Sequence, residues 1–485
     1  MFRLFIIALI VALSHSFVFA QTMEKTSHET DWCITCHRNL TPGIVASWKK
    51  STHAKMTVEK ALEKKGLARK VSSTDIPEKL TKVVVGCYEC HGLRAEEHTD
   101  NFKHNGSRIN VVVTPKDCAV CHSVEATQFS KSKKAHAHDN LVKNPVFSKL
   151  MTAVASKDGR KPTTDTMNVT CFACHGAKVE VIGKESISRG IPVMVPKLSN
   201  WPNQGIGRQN PDGSKGSCSA CHPRHTFSIE VARKPHTCSQ CHLEPDFPAW
   251  NVYRESKHGN IVISNPEECD WKAVPWQAGE HFTAPSCATC HMSLLADSKG
   301  RELVGRDHNL GNRLWARLAG FVHSTPQPKS GMTHIIKNAD GLPLPTTFDN
   351  REASEFLIDK EEQAARREKM TAVCTSCHST LWTRGHFNRL DGTIAETNEM
   401  TLKATKLVEQ AWQHGLVNKE NPFDEPFEYD WVRCWLYYGN SIRYGAAMAG
   451  PDYSTFKNGW ADLTDKVSAM EQKLKKSTAA TSSSK

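Results

Sequence analysis

The sequence predicts a mainly α-helical chain with little β-structure, folded around large apolar groups that its own side chains do not supply. Three observations predict it. The signature Cys-x-x-Cys-His occurs eight times in 485 residues. Hydrophobic residues make up 39% of the chain and aromatics 8%, a modest supply for a side-chain core of this size. Runs with the period-two alternation of strands are scarce; Val83-Val84-Val85 and residues 110–113 are the best candidates.

The first four signatures are Cys33, Cys36 and His37; Cys87, Cys90 and His91; Cys118, Cys121 and His122; Cys171, Cys174 and His175. The last four are Cys218, Cys221 and His222; Cys238, Cys241 and His242; Cys287, Cys290 and His291; Cys374, Cys377 and His378. This is the attachment signal for haem c. The two thiols form thioethers with one porphyrin, and the adjacent His ligates its iron. Composition alone would produce only about 0.03 such matches in this length. The signatures therefore imply eight covalently bound haems.

Other uses of paired cysteines fit less well. A disulfide framework has no reason to place His after every second Cys. Zinc knuckles pair two Cys-x-x-Cys halves or add His at a distance. Cys269 and Cys434 fall outside the signatures and read as a disulfide or as two buried thiols.

Residues 1–20 read as a cleavable secretory signal. Arg3 supplies the positive start, residues 4–13 the apolar run, and Val18-Phe19-Ala20 the small residues before the cut. A periplasmic location follows, because covalent haem is attached after export. No later run approaches a membrane span. Residues 21–460 read as one continuous haem-bearing body, and 461–485 as a C-terminal helix with a disordered tail.

The formal charge of +11 suggests nucleic-acid binding, but the basic residues are scattered. Two propionates per haem would also add about sixteen carboxylates. A nucleic-acid partner is therefore excluded. The signatures are unevenly spaced, which excludes a solenoid of identical units. Cys218 and Cys238, 20 residues apart, should hold two haems in near contact. Residues 192–216 read as surface loop, 352–371 as a helix entering the eighth signature, 402–416 as another helix, and 466–485 as a fraying tail.

An electron-transfer haem takes two axial ligands, and a catalytic one leaves a position open. Of 24 His, eight lie in signatures and His15 in the signal, so free His are plentiful. The best placed as distal ligands are His53 in WKKSTHA, His136 in KSKKAHA, His225 in RHTFS, His258 in ESKHGN and His308 in GRDHNLG. His104, His334 and His386 are weaker candidates.

With these residues in view, the chain resembles the octahaem hydroxylamine oxidoreductase family. The resemblance rests on the haem number, on CHPRHTFS (221–228), on CHLEPDFPAWNVYRESKHGN (241–260) and on GRDHNLG around His308. It runs from the first signature to residues 431–456. Related multihaem reductases mark their catalytic haem with Cys-x-x-Cys-Lys, which is absent here. The resemblance implies that the fourth haem, on Cys171, Cys174 and His175, is catalytic and open. It implies seven bis-His haems that relay electrons. It also implies an Asp-His pair over the open iron. Asp246 matches the Asp, but Phe247 stands where the family has His. Oxidising members form trimers in which a Tyr from a neighbouring subunit is crosslinked to the catalytic haem. Tyr437, Tyr438, Tyr444 and Tyr453 lie in the matching segment, and none is assigned to that role.

The function implied is redox conversion of a small nitrogen compound, served by a partner cytochrome or quinol-linked protein, in a homotrimer. One direction is oxidation of hydroxylamine; the other is reduction of nitrite or hydroxylamine. The alternative is a non-catalytic electron conduit with every iron six-coordinate. Mass spectrometry of the purified holoprotein should give the processed polypeptide plus eight haems. A mass matching the bare polypeptide contradicts the entire reading.

Overall fold

The computed structural model describes residues 24–155, 162–187 and 192–483; the export signal expected over 1–20 lies outside them. Helices dominate, and the strands form only two- and three-stranded pieces. The mainly α expectation holds. Through residue 358 the helices are short, the longest being the 13-residue His28–Leu40. They are separated by turns and hairpins rather than stacked into layers.

One hairpin has a direct bearing on the ligand geometry. Strand Asn101–His104 pairs antiparallel with Ser107–Asn110. The turn between them is Asn105-Gly106, with φ of 46° and 81°. Two successive positive φ values are what Asn-Gly tolerates at a tight hairpin. The pairing falls earlier than the strand expected over 110–113, and Val84 makes only an isolated bridge to Thr57.

The C-terminal part is a bundle of longer helices. Lys360–Thr375 starts where the Asp359 side chain accepts the Glu362 N–H at 2.9 Å, which replaces the earlier start expected at 352. Its buried face is Arg366, Met370 and Val373, at the i, i+4, i+7 spacing of one helical stripe. The helix expected over 402–416 is the end of the 34-residue helix Thr380–Gln413. Ala404, Val408 and Ala411 on that helix meet Phe423, Trp431, Trp435, Ile442, Leu463, Val467 and Met470. The last three belong to helix Trp460–Ser483, which continues past Lys466, where fraying was expected.

Residues 192–216 are not simply a surface loop. Val193–Leu198 pairs with Val181–Ile187. Arg208 is buried, donating to Asn210 Oδ1 at 2.6 Å, Asn203 O at 3.0 Å and Val113 O at 3.2 Å. Polar residues that look solvent-facing in the sequence instead satisfy a buried guanidinium. Cys434 is buried, with its thiol 4.0 Å from Met470 Sδ, while Cys269 is half-buried. Every described cysteine is free, so the disulfide reading of this pair is not realised. Among the described residues no helix is long and apolar enough to cross a membrane.

Trp431 is fully buried and donates its indole N–H to Thr405 Oγ1 at 2.9 Å. Trp431→Ala should cost about 3–5 kcal/mol, lowering the denaturant midpoint of the helical C-terminal part. An unchanged midpoint would show that this cluster does not hold the bundle together.

Candidate haem centres

The signatures fold as helical turns: the first lies inside helix His28–Leu40, and the eighth begins at the end of helix Lys360–Thr375. Cys87–His91, Cys171–His175 and Cys287–His291 are single helical turns. Elsewhere the signature His N–H reaches back to the first Cys carbonyl: His122 to Cys118 at 2.9 Å, His242 to Cys238 at 3.1 Å and His378 to Cys374 at 2.8 Å. An i→i−4 bond puts first Cys and His on one face. The imidazoles are also oriented from behind. His91 Nδ1 meets Asn110 O at 2.8 Å, on the hairpin above, and His175 Nδ1 meets Ala137 O at 3.3 Å. A backbone acceptor at Nδ1 fixes the proton there and leaves Nε2 as the donor atom for a metal.

Signatures distant in sequence come together through their thiols. The thiols of Cys33 and Cys87, Cys118 and Cys218, Cys174 and Cys241, and Cys238 and Cys287 lie close enough to shift one another's titration. Cys90 lies in electrostatic range of Cys121, Cys221 of Cys238, and Cys290 of Cys374. These contacts trace one path through signatures one, two, three, five, six, seven and eight. The fourth branches off at the sixth.

Three signature histidines face an imidazole from elsewhere in the chain, and two more have one within electrostatic range. His37 and His104 have ring centroids 6.2 Å apart, His53 and His122 6.3 Å, and His258 and His378 5.9 Å. His225 bears electrostatically on His91, and His308 on His222. Two imidazoles sharing one metal at about 2.0 Å each would hold their centroids roughly 6 Å apart. Burial pushes His53, His222, His225 and His308 down to about 4, which keeps them in the neutral, ligating form. Among the described residues no group of three or more His, Cys, Asp or Glu could hold a bare ion. A haem iron needs none, because the porphyrin supplies four ligands. The residues therefore fit haem c: His37, His122 and His378 could hold an iron from one side with His104, His53 and His258 across from them, and His225 and His308 lie in range of His91 and His222.

Of the remaining free histidines, His136 is not brought to a signature; its Nε2 meets Ser130 O at 2.9 Å. His334 is held by Asn140 Oδ1 at 3.0 Å, and His386 Nε2 meets Ala447 O at 3.1 Å. His291, of the seventh signature, has Arg313 and Lys134 as its electrostatic neighbours.

The fourth signature has different company. His138 is the free histidine that bears on His175. It follows Ala137, the residue on the Nδ1 side, and its ring packs on Phe172 at 5.2 Å. Asp246 bears on Cys171, Cys174 and His175 together. Asp246 is exposed as a residue, yet desolvation of its carboxyl by the surrounding chain raises it from its ordinary value. Its backbone is pinned by Asn440 Nδ2, which donates to Asp246 O at 3.0 Å. Tyr437 and Tyr444 both feel this carboxyl, and Tyr444 also feels Arg317. Phe247 packs between the His242 ring, at 4.6 Å, and Tyr444, at 5.1 Å. Tyr453 lies apart and donates to Glu244 Oε2 at 2.8 Å, while Tyr438 belongs to the C-terminal core. Sequence reasoning missed Arg317 and Lys134, the second of which sits 2.6 Å from His242 Nε2.

Comparison with known proteins agrees with this geometry. The family model "Seven times multi-haem cytochrome CxxCH" matches residues 207–309 and 346–422. "Cytochrome c554 and c-prime" matches 32–110 and 117–194. A solved "hypothetical multiheme protein" is 42% identical, with TM-score 0.89, over 95% of this chain and 98% of that one. A Kuenenia stuttgartiensis reducing HAO-like protein complex shares the fold at 19% identity and TM-score 0.62, over 94% of this chain and 87% of that one. A probable nitrite reductase–hydroxylamine oxidoreductase fusion protein from Kuenenia stuttgartiensis is 25% identical over 84% of this chain. The chain spans 41% of that relative's length. These likenesses and the paired-thiol turns lead to one assignment: the chain belongs to the hydroxylamine oxidoreductase family of multihaem cytochromes and carries covalently bound haem c.

Proposed function

We propose that the protein binds eight haems and converts small nitrogen compounds at the fourth, whose outer face is left open. The reaction is oxidation of hydroxylamine to nitric oxide or nitrite, or reduction of nitrite or hydroxylamine. The observation that supports this reading is the placement of the Asp246 carboxyl within electrostatic range of Cys171, Cys174 and His175 together. The fused relative's name, which couples nitrite reduction with hydroxylamine oxidation, lends it support.

When bound, a haem with one free axial position offers iron to a nitrogen ligand and exchanges electrons one at a time. The residues of the chain do the rest. His175, oriented by the Ala137 carbonyl, would hold the iron when haem is bound. Asp246, whose carboxyl is raised by desolvation, is the group placed to accept a proton from the substrate or return one to it. Tyr444, Tyr437 and Phe247 pack around it and limit the access of water. Phe247 brings no second proton-transfer group, which favours the reducing direction.

The other haems relay electrons from a partner cytochrome or quinol-linked protein. Periplasmic export through residues 1–20 and assembly as a homotrimer complete the proposal. A second reading, a pure electron conduit, is favoured by the unbroken path of thiol contacts. It needs every iron to be six-coordinate.

Two measurements separate these readings. Asp246→Asn should lower turnover of hydroxylamine or nitrite about 10²-fold with the haem absorbance intact. Unchanged kinetics would return Asp246 to a structural role. The paramagnetic resonance spectrum of the oxidised holoprotein should contain a high-spin component from the open iron. A purely low-spin spectrum would leave the conduit and remove the enzyme.

A further inference from the structure

The sixth signature, like the seventh, has no free imidazole bearing on it, whereas the fifth and the eighth each have one. The groups that bear on His242 are Lys134 and two signature histidines of other centres, His291 and His175. Lys134 Nζ lies 2.6 Å from His242 Nε2, the atom free for a metal.

Lys134 arrives there on a local structure that the chain builds three times. Trp48, Phe129 and Tyr253 are each followed three residues later by a serine: Ser51, Ser132 and Ser256. All six are buried. Each serine N–H returns to its aromatic residue's carbonyl, at 2.8 Å for Ser51, 2.9 Å for Ser132 and 3.0 Å for Ser256. Each serine Oγ then accepts the N–H of the small residue three positions on: Ala54 at 3.1 Å, Ala135 at 3.3 Å and Gly259 at 3.1 Å. The turn aims the side chain two residues after the serine. In the first copy that side chain is His53, facing His122, and in the third it is His258, facing His378. In the second copy it is Lys134. His136, the nearest imidazole downstream, is two positions out of this register and is engaged with Ser130 O.

We propose that Lys134 is the distal axial ligand of the sixth haem, so that this centre has His–Lys rather than bis-His ligation. The bond uses the amine lone pair, and the ammonium proton it displaces leaves to solvent. Iron between the two nitrogens, at about 2.0 Å from each, requires them to separate to about 4 Å. A four-carbon flexible side chain accommodates that shift. The proposal rests on haem attachment at Cys238 and Cys241 and is independent of the nitrogen chemistry. Its consequence does concern the fourth centre, because the Cys241 and Cys174 thiols lie close enough to shift one another's titration. An aliphatic amine donates only through its lone pair and favours ferric iron more than imidazole does. The haem next to the fourth is thereby a stronger reductant than a bis-His haem at that position.

The test is near-infrared magnetic circular dichroism of the oxidised full-length holoprotein, with haem content checked by mass. The wild type should show one amine–imidazole charge-transfer band beside the bis-imidazole bands. Lys134→His should lose that band and gain one bis-imidazole centre at unchanged haem content. Lys134→Ala should turn one further low-spin iron per chain high-spin, and added imidazole should reverse the change. A wild type without the amine–imidazole band overturns the proposal, as does a Lys134→Ala variant with an unchanged low-spin count. If the alanine variant fails to mature, the wild type and Lys134→His still decide. No substrate is involved, so an absence of nitrogen chemistry leaves this result unaffected.

Discussion

Each Cys-x-x-Cys-His turn ties one rigid, apolar plate to five residues of backbone at three points. That covalent tether constrains the rest of the structure. A haem cannot move away from its turn, so the positions of the turns set the electron path. Residues as far apart in sequence as Cys118 and Cys218 are brought close enough to shift one another's titration. The short helices and hairpins between them carry little core of their own. They are spacers whose lengths suit the cofactors rather than a regular repeat.

Axial ligation adds a second constraint, and burial decides how it is met. An imidazole in water near neutral pH is partly protonated and unavailable to a metal. Burial around His53, His225 and His308 removes that competition by penalising the cation. Backbone acceptors at the Nδ1 atoms of His91 and His175 fix the tautomer. At the fourth signature the neighbouring group is a carboxyl, Asp246, raised from its ordinary value by desolvation. The C-terminal helices contribute differently. They are the part of the chain with a conventional packed core, built on Trp431, Trp435 and Phe423. From that body, helix Asn440–Met448 reaches the fourth centre with Tyr444, and Asn440 holds the Asp246 backbone.

Much of this was legible in the sequence because haem attachment uses a short, contiguous code. His53 and His258 were legible for a similar reason, each lying in a compact local turn. His104 was harder, since its role depends on the hairpin closed by Asn105-Gly106 and on what that hairpin packs over. His136 misled because adjacency to a ligand-like phrase is not register. The matching position in that phrase is Lys134, which composition alone assigns to solvent. Alignment of 132–135 with 51–54 and 256–259 was the available signal. Residues 192–216 were misread because Arg208 is buried by partners drawn from separate turns, which no local pattern records.

The most direct test of the account is an anomalous difference map collected at the iron absorption edge from crystals of the holoprotein. The account places eight iron peaks, with one midway between the rings of His37 and His104, His53 and His122, and His258 and His378. It places another beside His175 with no imidazole opposite. Fewer peaks, or irons displaced from these histidine pairs, would contradict it.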